Sequence, residues 1–233
     1  MIALVTGGAA SGKSAYAEAL ACSLSPVRTY VATMANDSAE AMERIEKHRA
    51  QRACAGFETI ETDGSLRCAA PTVEAMPAGS FPREAVPIQT APKEAAFKEA
   101  KQNDTAGVIL LDDIGNLVSN ALFAADGTMA DVDDVLARLT GEFDDLAAQH
   151  AHVVVVGNEV GASGRRFDVA TAAWVRVVGS LCCAIAARSD TVVEVVAGCP
   201  NVLKGTTPEH LQTGDYKPSC SMSPVSEAEG LAV

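Results

Sequence analysis

The apolar residues of this chain follow two alternating patterns. Short runs rich in Val, Ile and Leu, each ending at a polar residue or a glycine, predict strands that are buried on both faces. They are Ile2–Thr6, Arg28–Thr33, Val108–Asp112, Val153–Gly157 and Thr191–Val196. Stretches of helical length and composition lie between them, at Gly12–Leu24, Asp37–Arg52, Ile114–Ala125, Asp131–His150 and Arg166–Arg188. This alternation predicts one α/β domain, with a mostly parallel sheet and helices on both faces.

Two segments show neither pattern. Five of the ten prolines fall between Pro71 and Pro92, which predicts an extended surface insertion at about residues 71–92. From Gly205 onward there is no hydrophobic periodicity, so we expect residues 205–233 to form a poorly ordered C-terminal tail. The catalytic domain is therefore predicted to span residues 1–204.

Composition and charge narrow the class of function. The chain has 233 residues, of which 48% are hydrophobic, and its 18 basic and 30 acidic residues give a net charge of −12. Such an acidic protein is unsuited to wrapping a nucleic acid, because that affinity rests on Lys and Arg neutralising phosphates. We expect no membrane span, since no uninterrupted apolar run approaches the ~20 residues required, and no signal peptide, since the first residues lack a basic region. These features predict a cytoplasmic protein.

The cysteines do not form a metal-binding motif. There are seven, none paired as Cys-x-x-Cys, so a structural zinc site is not expected. The adjacent Cys182 and Cys183 are interpreted as small apolar residues on a buried helix face.

A phosphate-binding motif follows the first strand. The residues match G-x-x-x-x-G-K-[ST] without a mismatch, and they are Gly7, Gly8, Ala9, Ala10, Ser11, Gly12, Lys13 and Ser14. Glycines let backbone N–H groups point at phosphates, and the N-terminus of the following helix adds a favourable dipole. In such a loop the lysine reaches the β- and γ-phosphates and the Ser hydroxyl binds Mg²⁺. The strand–loop–helix setting argues against a fortuitous glycine-rich turn.

A second Mg²⁺-binding side chain is expected at the end of another strand. Asp112 follows the apolar run Val108–Leu111 directly, and carboxylate oxygen is a preferred ligand of Mg²⁺. Asp113 better suits the N-cap of the helix that begins near Ile114.

The predicted helix Asp37–Arg52 carries a histidine between two arginines. Arg44, His48 and Arg52 are four residues apart and therefore share one face. The arginine charges disfavour protonation of the imidazole, which keeps it able to attack a phosphate. The spacing alone favours a solvated histidine that has no catalytic role, and it is the phosphate-binding motif upstream that supports the functional interpretation.

Several motifs together resemble one enzyme family. They are Gly7–Ser14, Ala17–Leu20, Tyr30–Thr33, Arg44-Ile45-x-x-His48-x-x-x-Arg52, Phe57-x-Thr59-x-Glu61, Leu110–Asp112, Val118-x-Asn120-x-Leu122-Phe123 and Asn158–Gly161. They resemble the bifunctional adenosylcobinamide kinase/adenosylcobinamide-phosphate guanylyltransferase family of cobalamin synthesis. The similarity runs from Met1 to about Gly198, outside the proline-rich insertion and the tail.

The resemblance implies a P-loop NTPase-type fold, a homotrimer, and two reactions on a corrinoid substrate. In the first, a nucleoside triphosphate, ATP or GTP, phosphorylates adenosylcobinamide. In the second, the histidine matched by His48 attacks the α-phosphate of GTP and passes the guanylyl group to adenosylcobinamide phosphate, giving adenosylcobinamide-GDP. Lys13 and His48 are then the catalytic residues, and Ser14 and Asp112 hold Mg²⁺. The implied nucleotide contacts are the loop Gly7–Ser14 with Ala32, Thr33, Met34, Arg49, Ala50, Gln51, Arg52, Glu61 and Asp112.

This chain departs from the family pattern at four places. Ala10 stands where the family usually has Arg, Asp112 replaces a Glu, Ala162–Arg166 replaces a proline-containing loop, and Cys182-Cys183 replaces Asn-Gln. These positions are those expected to meet the corrinoid or a neighbouring subunit. Two alternatives therefore stay open from the sequence: a P-loop kinase for another hydroxylated metabolite, and a nucleotide-binding regulatory relative without activity.

Overall fold

The computed structural model describes residues 1–33, 55–62, 64–67, 107–161, 164 and 166–213. The predicted helix Asp37–Arg52, with Arg44 and His48, lies outside these residues, as do Met34, the proline-rich segment and residues 214–233.

The described residues form seven strands and four α-helices. The strands are β1 (Ile2–Thr6), β2 (Arg28–Ala32), β3 (Phe57–Glu61), β4 (Val108–Asp112), β5 (His152–Val156), β6 (Thr191–Val196) and β7 (Cys199–Lys204). The helices are α1 (Lys13–Leu24), α2 (Ile114–Leu122), α3 (Val132–Gln149) and α4 (Val169–Arg188), and a short 3-10 helix spans Glu209–Leu211. All five predicted strands are confirmed, and so are the four predicted helices that fall within the described residues.

Local contacts explain where the helices end relative to the prediction. α2 ends at Leu122 because Phe123 is extended and pairs with Met129 in an isolated bridge. α4 begins at Val169 because the Asp168 side chain accepts a hydrogen bond from the Thr171 N–H and caps the helix. The C-terminus of α2 therefore lies three residues earlier than predicted, and the N-terminus of α4 lies three residues later.

The strands form one sheet in the order β3-β2-β4-β5-β1-β6-β7. Every neighbouring pair is parallel except β6 and β7, which confirms the predicted mostly parallel sheet. The register aligns Ala32 with Asp112 and Asp112 with Val156. Because the parallel strands end at one edge, the residues that follow them meet there.

The core lies on both faces of this sheet. Val108 and Leu110 of β4 pack with α1 on one face, whereas Ile109 and Leu111 pack with α2, α3 and α4 on the other. Successive side chains of a strand point to opposite faces, so strands between two helical layers need apolar residues at every position. The central strands meet this requirement, and for this reason their apolar runs are visible in the sequence.

Two strands at the sheet edges were not predicted. In β3 only Phe57 is buried, and β7 has no buried residue. An edge strand that buries few side chains needs no apolar run. The pattern that identifies the central strands is therefore missing from β3 and β7.

The chain returns to the core after β7. Leu211 is 1% exposed and packs into the hydrophobic cluster beneath α1, and the 3-10 helix contacts α1. Leu211 holds this segment against the core. A single buried leucine creates no periodicity, so the sequence after Gly205 shows no sign of it. The predicted tail stays untested beyond Thr213.

The interpretation of the cysteine pair is wrong for one of its members. Cys182 is partly buried, but Cys183 is exposed. Successive residues of an α-helix point about 100° apart, so two adjacent cysteines do not both face the core.

One described helix, α4, is long and apolar enough to cross a membrane by length and composition. It packs against β1, α2 and α3, and its Val177, Val178, Leu181 and Ile185 are buried. Core helices of soluble proteins have the same length and composition, so α4 does not contradict the expectation of no membrane span.

Candidate active site

The phosphate-loop segment joins β1 to α1 at the carboxyl edge of the sheet. Gly12 has φ +94°, a left-handed conformation that favours glycine, and is the N-cap residue of α1. At Gly7 a Cβ would lie 2.4 Å from the Val195 carbonyl oxygen and 2.6 Å from Ser11 Oγ. Two of the glycines in the motif are therefore required by the local geometry, one for its conformation and one for the close approach of β6.

Neighbouring segments hold the loop through its carbonyl groups. The Gly7 carbonyl accepts a hydrogen bond from the Glu159 N–H at 3.2 Å, and the Ser11 carbonyl accepts one from the Gly198 N–H at 2.8 Å. The first contact comes from the segment after β5 and the second from the turn between β6 and β7. The loop is thus supported from both sides by segments distant in sequence.

The electrostatics of the loop suit an anion. Lys13 Nζ donates to the Gly8 carbonyl at 3.2 Å, which keeps the ammonium group beside the loop. The first turn of α1 contains no acidic residue, so no carboxylate there offsets the positive end of the helix dipole. A lysine and a helix N-terminus at one loop form an arrangement that can bind phosphate groups.

Asp112 lies beside this loop, as the sequence predicts. The Ser14 hydroxyl donates to Asp112 Oδ1 at 3.4 Å, and the Tyr30 hydroxyl donates to Asp112 Oδ2 at 2.9 Å. A hydroxyl and a carboxylate oxygen are the hard donors that Mg²⁺ prefers. The residues present therefore fit a Mg²⁺ ion shared with nucleotide phosphates.

Asp113 has the structural role predicted for it. Its Oδ1 accepts a hydrogen bond from the Asn116 N–H at 2.8 Å, and Asp113 is the N-cap of α2. This contact confirms the prediction that Asp113 caps the helix.

A buried hydrogen-bond group joins the ends of β2 and β4. The Thr33 hydroxyl lies 3.1 Å from the Asp112 carbonyl and 2.8 Å from the Asp113 carbonyl, and it accepts a hydrogen bond from the Asp113 N–H at 2.9 Å. Asn120 Nδ2 of α2 donates to the Thr33 carbonyl at 2.8 Å. Thr33 is fully buried, so its side chain supports the backbone that carries Asp112.

A second polar cluster follows β5. The Trp174 indole N–H donates to the Gly115 carbonyl at 3.0 Å, and a Cβ on Gly115 would lie 2.4 Å from Asn158 Nδ2. Burial is the main cause that raises the pKa of the nearby Cys182 thiol to about 11, and the backbone N–H of Asn158 opposes it in part. Cys182 is consequently a neutral thiol at physiological pH and is unsuited to act as a nucleophile.

Most of the predicted site residues that the structure describes lie close together. Gly7–Ser14, Ala32, Thr33 and Asp112 lie at one edge of the sheet, and Glu61 is in register with Ala32 on the neighbouring strand β3. His48, Met34 and the residues Arg49, Ala50, Gln51 and Arg52 lie outside the described residues. The sequence did not assign the contact of Tyr30 with Asp112, although a tyrosine in a buried strand indicates a hydroxyl that needs a partner.

Comparisons with known proteins identify the family. A family model described as cobinamide kinase / cobinamide phosphate guanyltransferase (CobU) matches residues 3–76 and 87–203. A curated protein of Pseudomonas aeruginosa, the bifunctional adenosylcobalamin biosynthesis protein CobP, is 28% identical over 203 residues, which cover 87% of this chain and 96% of that protein. The interruption between the two matched stretches falls within the proline-rich segment. The chain therefore belongs to the cobinamide kinase / cobinamide phosphate guanyltransferase family and is an enzyme of cobalamin biosynthesis with those two activities.

Proposed function

We propose that the phosphate-loop site at the end of β1 carries out the kinase step. The substrate hydroxyl of adenosylcobinamide attacks the γ-phosphorus of a bound nucleoside triphosphate. The bond from that phosphorus to the β–γ bridging oxygen breaks, a nucleoside diphosphate leaves, and the hydroxyl proton is released. Lys13 stabilises the charge that develops on the phosphate oxygens, and the backbone of Gly7–Ser14 orients them.

Ser14 and Asp112 would hold Mg²⁺ in this site. The ion, when bound, neutralises charge on the β- and γ-phosphate oxygens. The contact between the two side chains and their hard oxygen donors support this assignment. Nucleotide contacts are proposed for Ala32, Thr33, Met34, Arg49–Arg52 and Glu61 from the motif match. Thr33 is proposed to support this group from the core through the backbone of residues 112 and 113, since its hydroxyl bonds there.

His48 is the proposed nucleophile of the guanylyl transfer. A neutral imidazole nitrogen attacks the α-phosphorus of GTP, a phosphorus–nitrogen bond forms, and pyrophosphate leaves. A phosphate oxygen of adenosylcobinamide phosphate then attacks the same phosphorus, which releases the histidine and gives adenosylcobinamide-GDP. The covalent intermediate divides one difficult displacement into two easier ones. His48 is assigned this role by the motif match and by its position in the sequence between Arg44 and Arg52.

Intact-mass spectrometry of the protein incubated with GTP and Mg²⁺ tests this proposal. We expect an acid-labile GMP adduct with GTP, and its loss in His48→Asn, which keeps a polar side chain of similar size but removes the nucleophilic nitrogen. The matched control is His210→Asn, because His210 is exposed in the 3-10 helix and has no proposed role. His48→Asn should retain the kinase step, which uses the hydroxyl of the substrate. An adduct that persists in His48→Asn would move the nucleophile to another residue.

A homotrimer in the cytoplasm is the proposed state of the enzyme. The motif match to the family supports the trimer. Light scattering coupled to size-exclusion chromatography measures the mass directly, and a monomer at micromolar concentration would contradict the trimer.

A further inference from the structure

Tyr30 joins the hydrophobic core to the proposed Mg²⁺ site. Its side chain is 3% exposed, and its ring packs edge-on against Phe57 with centroids 6.4 Å apart. At the other end of the same side chain, the hydroxyl donates to Asp112 Oδ2 at 2.9 Å. The ring is therefore fixed in the core while the hydroxyl contacts the carboxylate.

The two oxygens of Asp112 have different partners. Oδ2 faces the Tyr30 hydroxyl, and Oδ1 faces the Ser14 hydroxyl at 3.4 Å. The backbone at this position is already held by the Thr33 hydroxyl. Backbone anchoring does not determine the rotation of the carboxylate, however, and an aspartate at the end of a strand has two side-chain torsions of its own. The Tyr30 hydroxyl acts on that rotation from a ring packed in the core, and it holds the oxygen opposite the one that faces Ser14.

We propose that Tyr30 is a positioning residue that keeps Asp112 Oδ1 directed at Ser14, where a Mg²⁺–nucleotide complex is bound. This inference rests on the proposed Mg²⁺ role of Ser14 and Asp112. Partners that orient a metal-binding carboxylate typically change metal affinity or activity by about 10- to 100-fold when removed. The proposal assigns that function to a single phenol hydroxyl.

Binding of Mn²⁺, measured by electron paramagnetic resonance, tests the inference without relying on turnover. The probe is Mn²⁺ added to the protein saturated with the non-hydrolysable analogue guanosine 5′-[β,γ-imido]triphosphate. Tyr30→Phe removes the hydroxyl and keeps the ring against Phe57. We expect roughly tenfold weaker Mn²⁺ binding, with the melting temperature and the metal-free affinity for the analogue little changed.

A matched control separates positioning from packing. Phe57→Leu removes the ring contact and keeps the Tyr30 hydroxyl, so it should lower the melting temperature while leaving the Mn²⁺ affinity near that of the unmodified protein. If Phe57→Leu weakens Mn²⁺ binding as much as Tyr30→Phe does, the effect belongs to packing and the inference is overturned. A Tyr30→Phe protein that does not fold would also overturn it, because the hydroxyl would then serve the core.

A double-mutant cycle distinguishes failure of this inference from failure of the proposed function. Asp112→Asn should weaken Mn²⁺ binding strongly, and adding Tyr30→Phe to it should cause no further loss. An unchanged Mn²⁺ affinity in Asp112→Asn would contradict the proposed metal role itself. A strong effect of Asp112→Asn with none of Tyr30→Phe would contradict the positioning role alone.

Discussion

The hydroxyl of Ser14 donates a hydrogen bond to Asp112 across 98 positions of sequence, over 3.4 Å. Ser14 lies in the first turn of α1, and Asp112 is the last residue of β4. Strand β5 lies between β1 and β4, so the contact spans two sheet positions. It brings a phosphate-loop residue and an acidic residue into one site, which is the arrangement that the kinase proposal requires.

Lys13→Ala should weaken binding of GTP by about ten- to hundredfold, because a charge-assisted hydrogen bond contributes roughly 1.5–3 kcal/mol. Titration calorimetry measures this change. Lys204→Ala is the control, since it removes the same charge from a lysine that donates to the Ala186 and Ala187 carbonyls at the far end of α4. Equal losses in the two variants would mean that net charge, and not the loop lysine, determines affinity.

Two neighbouring glycines of the loop should differ in what they tolerate. Gly7→Ala places a Cβ 2.4 Å from the Val195 carbonyl oxygen, whereas a Cβ on Gly8 meets no atom within 4 Å. We expect Gly7→Ala to lower the free energy of unfolding by roughly 1–3 kcal/mol, as overpacking does, and Gly8→Ala to change it by less than about 0.5 kcal/mol. Urea denaturation compares them. Two variants of equal stability would contradict the close approach of β6 to Gly7.

Leu211 should contribute to stability as a core residue does. Leu211→Ala empties a site that is 1% exposed, so the free energy of unfolding should fall by about 2–5 kcal/mol. Leu203→Ala makes the same chemical change at a side chain that is 58% exposed, and its cost should stay near zero. Chemical denaturation of both variants is the measurement. A small loss at Leu211 would show that the segment after β7 is dispensable for the core.

Alkaline pH should destabilise the protein through Cys182. Burial raises the pKa of this thiol from its ordinary value of 9.0 to about 11, so between these pH values the folded state keeps a proton that the unfolded chain loses. The stabilisation is complete below pH 9 and is lost as the pH rises through about 11. Relative to Cys182→Ala, the unmodified protein should lose up to about 1.4 kcal/mol per pH unit in that window. Parallel stability curves for the two proteins would contradict the raised pKa.

The sequence alone determined the central strands, the helices between them and the phosphate-loop segment. Each is encoded by neighbouring residues: β1, β4 and β5 are apolar at nearly every position because helices cover both faces of the sheet, and Gly7–Ser14 is a contiguous motif. The position of Asp112 at the end of a strand and the capping role of Asp113 were also accessible, since one follows an apolar run and the other precedes a helix. In these cases the physical cause acts within a few residues along the chain.

Only the tertiary structure decided the contacts that depend on pairing between distant segments. The hydrogen bond from Tyr30 to Asp112 exists because β2 pairs with β4 in a register that aligns Ala32 with Asp112. Burial of Leu211 likewise depends on where the chain runs after β7, an edge strand with no apolar run to mark it. Register and edge packing arise from the summed energy of many long-range contacts, and no single local pattern carries that information.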